Sequence, residues 1–292
     1  MRFTEIGQQL RAYRLESGMR AEEIAARLGV SRAALYRYEK GEVIKLDTIK
    51  RLAELLKISP LSLLGIGVEY YHRPVGYFER IRQIEESADQ ILQVDGPLSY
   101  LVTSESYDAA LAAALEELAE QAGPERGQLR ASADQTLGIL AARKRVYVSR
   151  RPGIICMVST GHLVRFLHQG VAGTAPLSER TRRLCRQVAA AEALNIASLM
   201  EAEPMGLQFG LLTATEPTSS FKILRARDRA TLAVNPFRSD STPGTATGIA
   251  MITAADEAIA AHQRVAEGLW KEAVKGASAA VKLRELVSQH ST

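Results

Sequence analysis

The sequence predicts a two-domain α+β chain: an all-helical head over residues 1–66, a linker and connecting helix over 67–95, and an α/β body over 96–292. Three observations carry that division. Residues 1–65 hold five short apolar repeats at helical spacing and no strand-like run. From residue 98 onward, strand-like runs alternate with amphipathic helices. The charge is also split: residues 1–60 carry 12 Lys and Arg against 8 Asp and Glu, whereas the rest of the chain carries 25 of each. A positive excess confined to the first fifth of an otherwise neutral chain points to a polyanionic partner for the head. No apolar run approaches the roughly 20 residues a membrane helix needs, so no membrane partner is expected. The opening MRFTEIGQQL lacks the apolar core of an export signal, which predicts a cytoplasmic location. Two cysteines, Cys156 and Cys185, make neither a disulfide scaffold nor a cysteine-rich metal site.

In the head, Ile6, Leu10 and Tyr13 are spaced for a helix over 5–17, with Gly18 as its stop. Ala21 to Leu28 forms a second helix that buries Ile24, Ala25 and Leu28. Gly29-Val30-Ser31 then supplies a left-handed turn, an apolar plug and an N-cap. A third helix, Arg32 to Lys40, points Leu35 and Tyr38 inward and leaves Arg32, Ala33, Tyr36 and Arg37 on the other side; Gly41 ends it. A fourth runs from about Asp47 to Leu56, and Ser59-Pro60 starts a short fifth through Leu64. Two helices joined by a three-residue, Gly-containing turn are a helix-turn-helix, whose second helix enters the DNA major groove.

The stretch EEIAARLGVSRAALYRYEKGE resembles the core of the phage-repressor-like (XRE) helix-turn-helix family, with Ile24-Ala25, Leu28-Gly29-Val30-Ser31, Leu35 and Tyr38-Glu39-Lys40-Gly41 in register. The resemblance covers residues 5–65 and implies binding to an operator in double-stranded DNA. Arg32 or Arg37 is expected to bond guanine O6 and N7, and Tyr36 to meet a thymine methyl or a phosphate. Arg20, Ser31, Ala33, Lys40 and Lys45 complete the expected contact surface, with Arg20, Lys40 and Lys45 on phosphate. The family's usual Thr-Gln pair opening the second helix is replaced here by Arg20-Ala21. A helical bundle that binds protein instead of DNA is the competing reading; the register match and the basic excess stand against it.

Residues 66–77 hold Gly67, Pro74 and Gly76 and read as a linker. A helix from Phe78 to Val94 would then align Ile81, Ile84, Ala88 and Ile91 in a 3-4-3 seam. That seam suits equally a helix docked on its own body or a dimer contact. Dimerisation is expected in either case, because one helix-turn-helix covers only a half-site.

In the body, Asp95-Gly96-Pro97 breaks the chain and Leu98 to Thr103 reads as a strand. Ser104 opens a helix striped with Tyr107, Ala110, Leu111, Ala114, Leu115 and Leu118, and another runs from Ser132 to Ala142. Residues 143–151, RKRVYVSRR, read as a basic strand, and Gly153 to Val158 as an apolar one. Helices follow after Ser159 and over Ser178 to Glu201. Strands over Leu207 to Ala214, Phe221 to Arg225, Thr231 to Val234 and Ile249 to Ile252 precede a helix past Trp270 to Lys275 and a final one after Gly276.

No Walker loop, GxGxxG, GxSxG or HExxH occurs, so neither an enzyme nor a cofactor is expected. Ser220, Lys222, Asp228 and Asn235 lie in one hairpin and are similar to the phospholipase-D signature, an HxK followed by Asp and an Asn-bearing strand. Ser220 stands where that family has its histidine nucleophile, and the later spacings differ. The segment AHQRVAEGLWKEA is similar to the helix closing such domains in sugar-responsive transcription factors. Those resemblances imply a catalytically inactive phospholipase-D-like body that keeps an anion pocket at Ser219, Ser220, Lys222 and Asn235. A rival anion site is the strand-to-helix turn Ser159-Thr160-Gly161, which suits a sugar-phosphate isomerase-like effector domain. The expected protein is thus a homodimeric, or higher oligomeric, regulator that senses a small anionic metabolite. The alternatives are a constitutive dimeric repressor and a DNA-tethered phosphoester-processing enzyme.

Overall fold

The computed structural model describes residues 3–94, 96, 98–237 and 248–290; the chain break read at Asp95 and Pro97 lies outside them. The head is helical throughout, with α1 (Phe3–Ser17), α2 (Ala21–Leu28), α3 (Arg32–Glu39), α4 (Leu46–Leu56) and α5 (Pro60–Leu63). Then follow β1 (Val68–Tyr71), α6 (Pro74–Glu85), β2 (Gln90–Val94), a 3-10 turn over Tyr100–Val102, α7 (Glu105–Gln121) and α8 (Arg126–Arg150). The chain continues through β3 (Gly153–Ser159), α9 (Thr160–Gln169), α10 (Glu179–Ala202), β4 (Leu207–Leu212), β5 (Phe221–Arg225), β6 (Ala230–Val234), β7 (Ala250–Thr253), α11 (Asp256–Glu272) and α12 (Gly276–His290).

The strands make one mixed sheet in the order β1-β7-β6-β5-β2-β3-β4, parallel across β2-β3-β4 and antiparallel elsewhere. Alternation along the strands sends Leu92, Val94, Met157, Phe221, Ile223 and Leu232 to one face, where they pack on Ala266 and Leu269 of α11. Ile91, Ile154, Cys156, Phe209 and Leu224 point to the opposite face and join the larger core with Tyr107, Leu111, Ile196 and Leu283 of the helices. One row on this second face carries buried polar groups among apolar ones: the register runs from Gln93 and Lys222 through Ala233 and Ile252 to Glu69 on the edge strand. Gln93 is held by Ser99, whose hydroxyl donates to its Oε1 at 3.2 Å.

Several expectations are corrected. Residues 68–71 are not linker; they are the edge strand β1, zipped antiparallel to β7. The helix read from Phe78 to Val94 ends at Glu85, and Gln90–Val94 becomes β2, which sits inside the sheet. Ile81, Ile84, Ala88 and Ile91 are all buried in the chain's own core, so they form no dimer seam. Leu98 to Thr103 is not a strand; it contains the 3-10 turn Tyr100–Val102. The basic strand of 143–151 is the last third of α8. There Arg143 is buried in a bidentate pair with Glu85, at 2.8 and 2.9 Å, and lies over the rings of Phe78 and Tyr100. That pair takes the guanidinium out of water and rewards a helical geometry.

Head and body are joined by a polar interface between α1, β1 and α6. Glu69 of β1 takes a bidentate bond from Arg80 of α6, at 2.8 and 2.9 Å, one from the Tyr71 hydroxyl at 2.7 Å, and one from Gln9 of α1 at 3.0 Å. Glu16 of α1 caps the start of α6 by accepting from the backbone N–H of His72 and Arg73, and its carboxylate is 2.5 Å from His72 Nδ1. Burial pushes the Glu16 carboxyl up, against the lowering effect of these donors. The helices approach closely because position 76 is glycine: a Cβ there would stand 3.0 Å from the Glu16 Cα. Tyr13 stacks on Tyr71 with ring centroids 5.3 Å apart.

Candidate nucleic-acid interface

Two local choices build the head's interface. Gly29 has φ +69°, a left-handed conformation that a side chain disfavours, and it closes α2. Ser31 then accepts from the Ala34 N–H at 3.1 Å and opens α3. Between them the chain turns once, leaving α3 to lie across α2 with Leu35 fully buried beneath it. Arg20, Ser31, Arg32, Ala33, Arg37, Lys40 and Lys45 are all exposed, and Tyr36 is half-buried. The lost hydroxyl cap at Arg20 is replaced by Glu23, whose carboxylate accepts the Arg20 N–H at 2.9 Å.

The expected base-reading arginines are already paired within the head. Arg32 Nη1 is 2.9 Å from Glu22, and Arg37 Nε is 3.2 Å from Glu42. Both pairs are more than half exposed, so each is weak and open to exchange for a stronger anion. The Tyr36 ring lies between two guanidinium groups, 5.3 Å from that of Arg32 and 5.8 Å from that of Arg14. Arg14 also clamps the buried Glu39 carboxylate of α3 with a bidentate contact, one arm at 3.0 Å. Sequence reasoning missed this pair, which fixes α3 to α1; the signal lay in a glutamate one turn beyond Leu35, on the inward face of the helix.

The two anion sites expected in the body have different surroundings. Asn235 lies opposite Ser220 across the β5–β6 pair, donating its N–H to the Ser220 carbonyl at 2.8 Å, and Lys222 follows two residues along. The structure therefore brings Ser220, Lys222 and Asn235 onto one face, but all three are buried, and the Asn235 amide is engaged with the Phe237 backbone at 2.9 Å on both arms. Ser219 is exposed beside them, and Asp228 is exposed in the β5–β6 turn. At the other site, Ser159 caps α9 by accepting from the His162 N–H at 3.2 Å. Beside Gly161 stands the chain's own Glu216 carboxylate, which pairs with Arg165 and lies 3.4 Å from His162 Nε2. A carboxylate of the chain itself therefore stands near this helix N-terminus. The basic residues of α8 are spoken for elsewhere: Arg143 pairs with Glu85, Lys144 binds Asp108 at 2.6 Å, and Arg150 reaches Asp89 at 3.4 Å. Cys185 is fully buried and its thiol is pushed up by that burial, the opposite of a reactive thiolate.

Residues 5–63 match the helix-turn-helix domain family. No curated protein matches the chain. Among solved structures, the chain is similar to TrmBL2, an archaeal chromatin protein whose structure is described as showing a novel mode of DNA binding. That similarity has 12% identity and a TM-score of 0.34, and covers 78% of this chain and 62% of the other, so the chain spans less than two thirds of that protein's length. The head is a helix-turn-helix domain, and it is followed by a body of mixed sheet and helices. Among the described residues, no helix is long and apolar enough to cross a membrane.

Proposed function

We propose that the chain is a sequence-specific DNA-binding transcriptional regulator of the XRE type, active in the cytoplasm as a homodimer on a palindromic operator. The observation that carries this reading is the outer face of α3, where Arg32, Ala33 and Arg37 are exposed and Tyr36 is half-exposed, behind a Gly29 turn and a Ser31 cap. That is the geometry with which a second helix presents its first residues to the major groove. The flanking Arg20, Lys40 and Lys45, all exposed, are read as phosphate contacts. With the seam residues of α6 and β2 buried, dimerisation has to use another surface of the body.

The body is read as non-enzymatic. Ser220 in the place of the histidine, beside Lys222 and Asn235, supports a phospholipase-D-like fold that has lost its histidine nucleophile and with it that family's phosphoenzyme. The body's part is then to dimerise and to respond to a small anion by binding it differently in two arrangements of the heads.

Selection from random duplexes tests the central reading. The full chain is expected to enrich one palindromic sequence, with binding that weakens steeply as salt rises. Enrichment of nothing, or equal binding to every duplex, contradicts it. The internal pairs add a second expectation. Glu42→Gln frees Arg37 and removes a carboxylate facing the phosphates, so affinity for the selected duplex rises a few-fold at low salt, read by fluorescence anisotropy. An unchanged or lower affinity would show that Glu42 orients Arg37 rather than restraining it.

A further inference from the structure

Two of the chain's five histidines meet on the surface of the body. His168 lies in the last turn of α9 and His290 in the last turn of α12, 122 residues further along the chain. The Nε2 of His168 stands 3.2 Å from the Nδ1 of His290, with the ring centroids 5.2 Å apart and the rings crossed at 81°. His168 is exposed and His290 is half-buried, so water reaches the place where they meet.

Both rings are positioned by the core behind them. Phe166 and Leu167 of α9 and Leu283 and Val287 of α12 are buried, where the two helices pack on each other and on α10. Cys185 of α10 lies against Gly170, but its Sγ is engaged with the Ala110 carbonyl at 4.0 Å. Among the described residues, no third His, Cys, Asp or Glu joins the pair.

The spacing is that of two ligands of one ion. Zn²⁺ binds imidazole nitrogen at about 2.0–2.1 Å, which puts two such nitrogens about 3.0 Å apart at a right angle and about 3.3 Å apart at the tetrahedral angle. The observed 3.2 Å falls between these. Imidazole suits Zn²⁺, Ni²⁺ and Cu²⁺, whereas Mg²⁺ and Ca²⁺ take oxygen ligands. The last turn of a helix is also the end that favours a cation, and two such turns converge here.

We propose that His168 and His290 form a site for one divalent transition-metal ion, with Zn²⁺ as the reference case, that clips the end of α9 to the end of α12. Each ring keeps its one proton on the far nitrogen, Nδ1 of His168 and Nε2 of His290, and water fills the remaining positions. Two protein ligands make an open, exchangeable site and not a closed structural one. The ligands come together only in the folded chain, so the ion stabilises that arrangement.

The test uses the full chain without a polyhistidine tag, stripped with EDTA, and ZnCl₂ as the probe in isothermal titration calorimetry, with MgCl₂ for comparison. Saturable binding of one Zn²⁺ per chain is expected, with none of Mg²⁺, and a rise in melting temperature that EDTA reverses. His168→Ala and His290→Ala should each weaken Zn²⁺ binding by at least the roughly tenfold that loss of a supporting group costs a metal site. Without zinc, His168→Ala should melt as the parent does, because its position is exposed. No saturable Zn²⁺ binding overturns the proposal, as does binding that both variants keep. Loss in His72→Ala with retention in His168→Ala also overturns it and moves the site to the joint. Hydrogen exchange gives an independent reading: removing zinc should speed exchange in the last turns of α9 and α12, and a change confined to the head would refute the clip. No DNA enters these measurements, so the assignment stands or falls separately from the regulatory reading.

Discussion

Glu69→Ala is expected to lower the stability of the chain by about 3–5 kcal/mol, the cost of leaving a buried charge without its partner. Arg80 is itself buried and makes both of its short bonds to this one carboxylate. Tyr71 and Gln9 lose their acceptor in the same step. A loss of this size is a large share of the roughly 5–15 kcal/mol that holds a domain folded. Urea unfolding measures it, and hydrogen exchange locates it: protection should fall first in α1, β1 and α6. Glu69→Leu combined with Arg80→Met should recover most of the loss, because an apolar pair of similar volume removes both charges together. A single-variant loss below about 1 kcal/mol would mean that water reaches Arg80 readily and that the joint is looser than its geometry.

Arg37→Ala is expected to weaken binding to the selected duplex by about 1–3 kcal/mol and to leave binding to random duplexes nearly unchanged, as for a bidentate contact with guanine. The chain's stability should hardly move, since the pair it loses, with Glu42, is well exposed. Anisotropy titrations on both duplexes separate the outcomes. Equal losses on the two, with a shallower salt slope, would assign Arg37 to a phosphate and pass base reading to Arg32.

The head was legible because its determinants are local. Helical spacing, one left-handed glycine and one serine cap all lie within residues 21–39, and they place α2 and α3 to within a residue. The body's misreadings share a different cause: tertiary partners decided the outcome. Val68 to Tyr71 alternates as an edge strand should, but the neighbouring Gly67 and Pro74 suggested a linker, and Glu69 gave no hint that Arg80 would bury it. Ile81, Ile84, Ala88 and Ile91 fit one helical period only because a helix and a strand happen to be phased alike across Ser87. Residues 143–151 centre on Val146-Tyr147-Val148, a β-branched and aromatic run typical of a strand, yet Glu85 and Asp108 hold Arg143 and Lys144 on a helix. At the candidate sites, the two-residue phase of Ser220 and Lys222 followed from strand geometry, whereas their burial and the placement of Glu216 against α9 depend on segments distant in sequence.

The α1–β1–α6 joint also sets how this chain can be dismantled. A fragment ending at residue 66 would bare Gln9, Tyr13 and Glu16 of α1, stripped of the partners that Glu69, Tyr71 and the start of α6 provide. The helix-turn-helix is therefore not a portable cassette in this protein. A graft onto another scaffold has to carry β1 and α6 along, and β1 in turn needs β7 from the far end of the chain beside it.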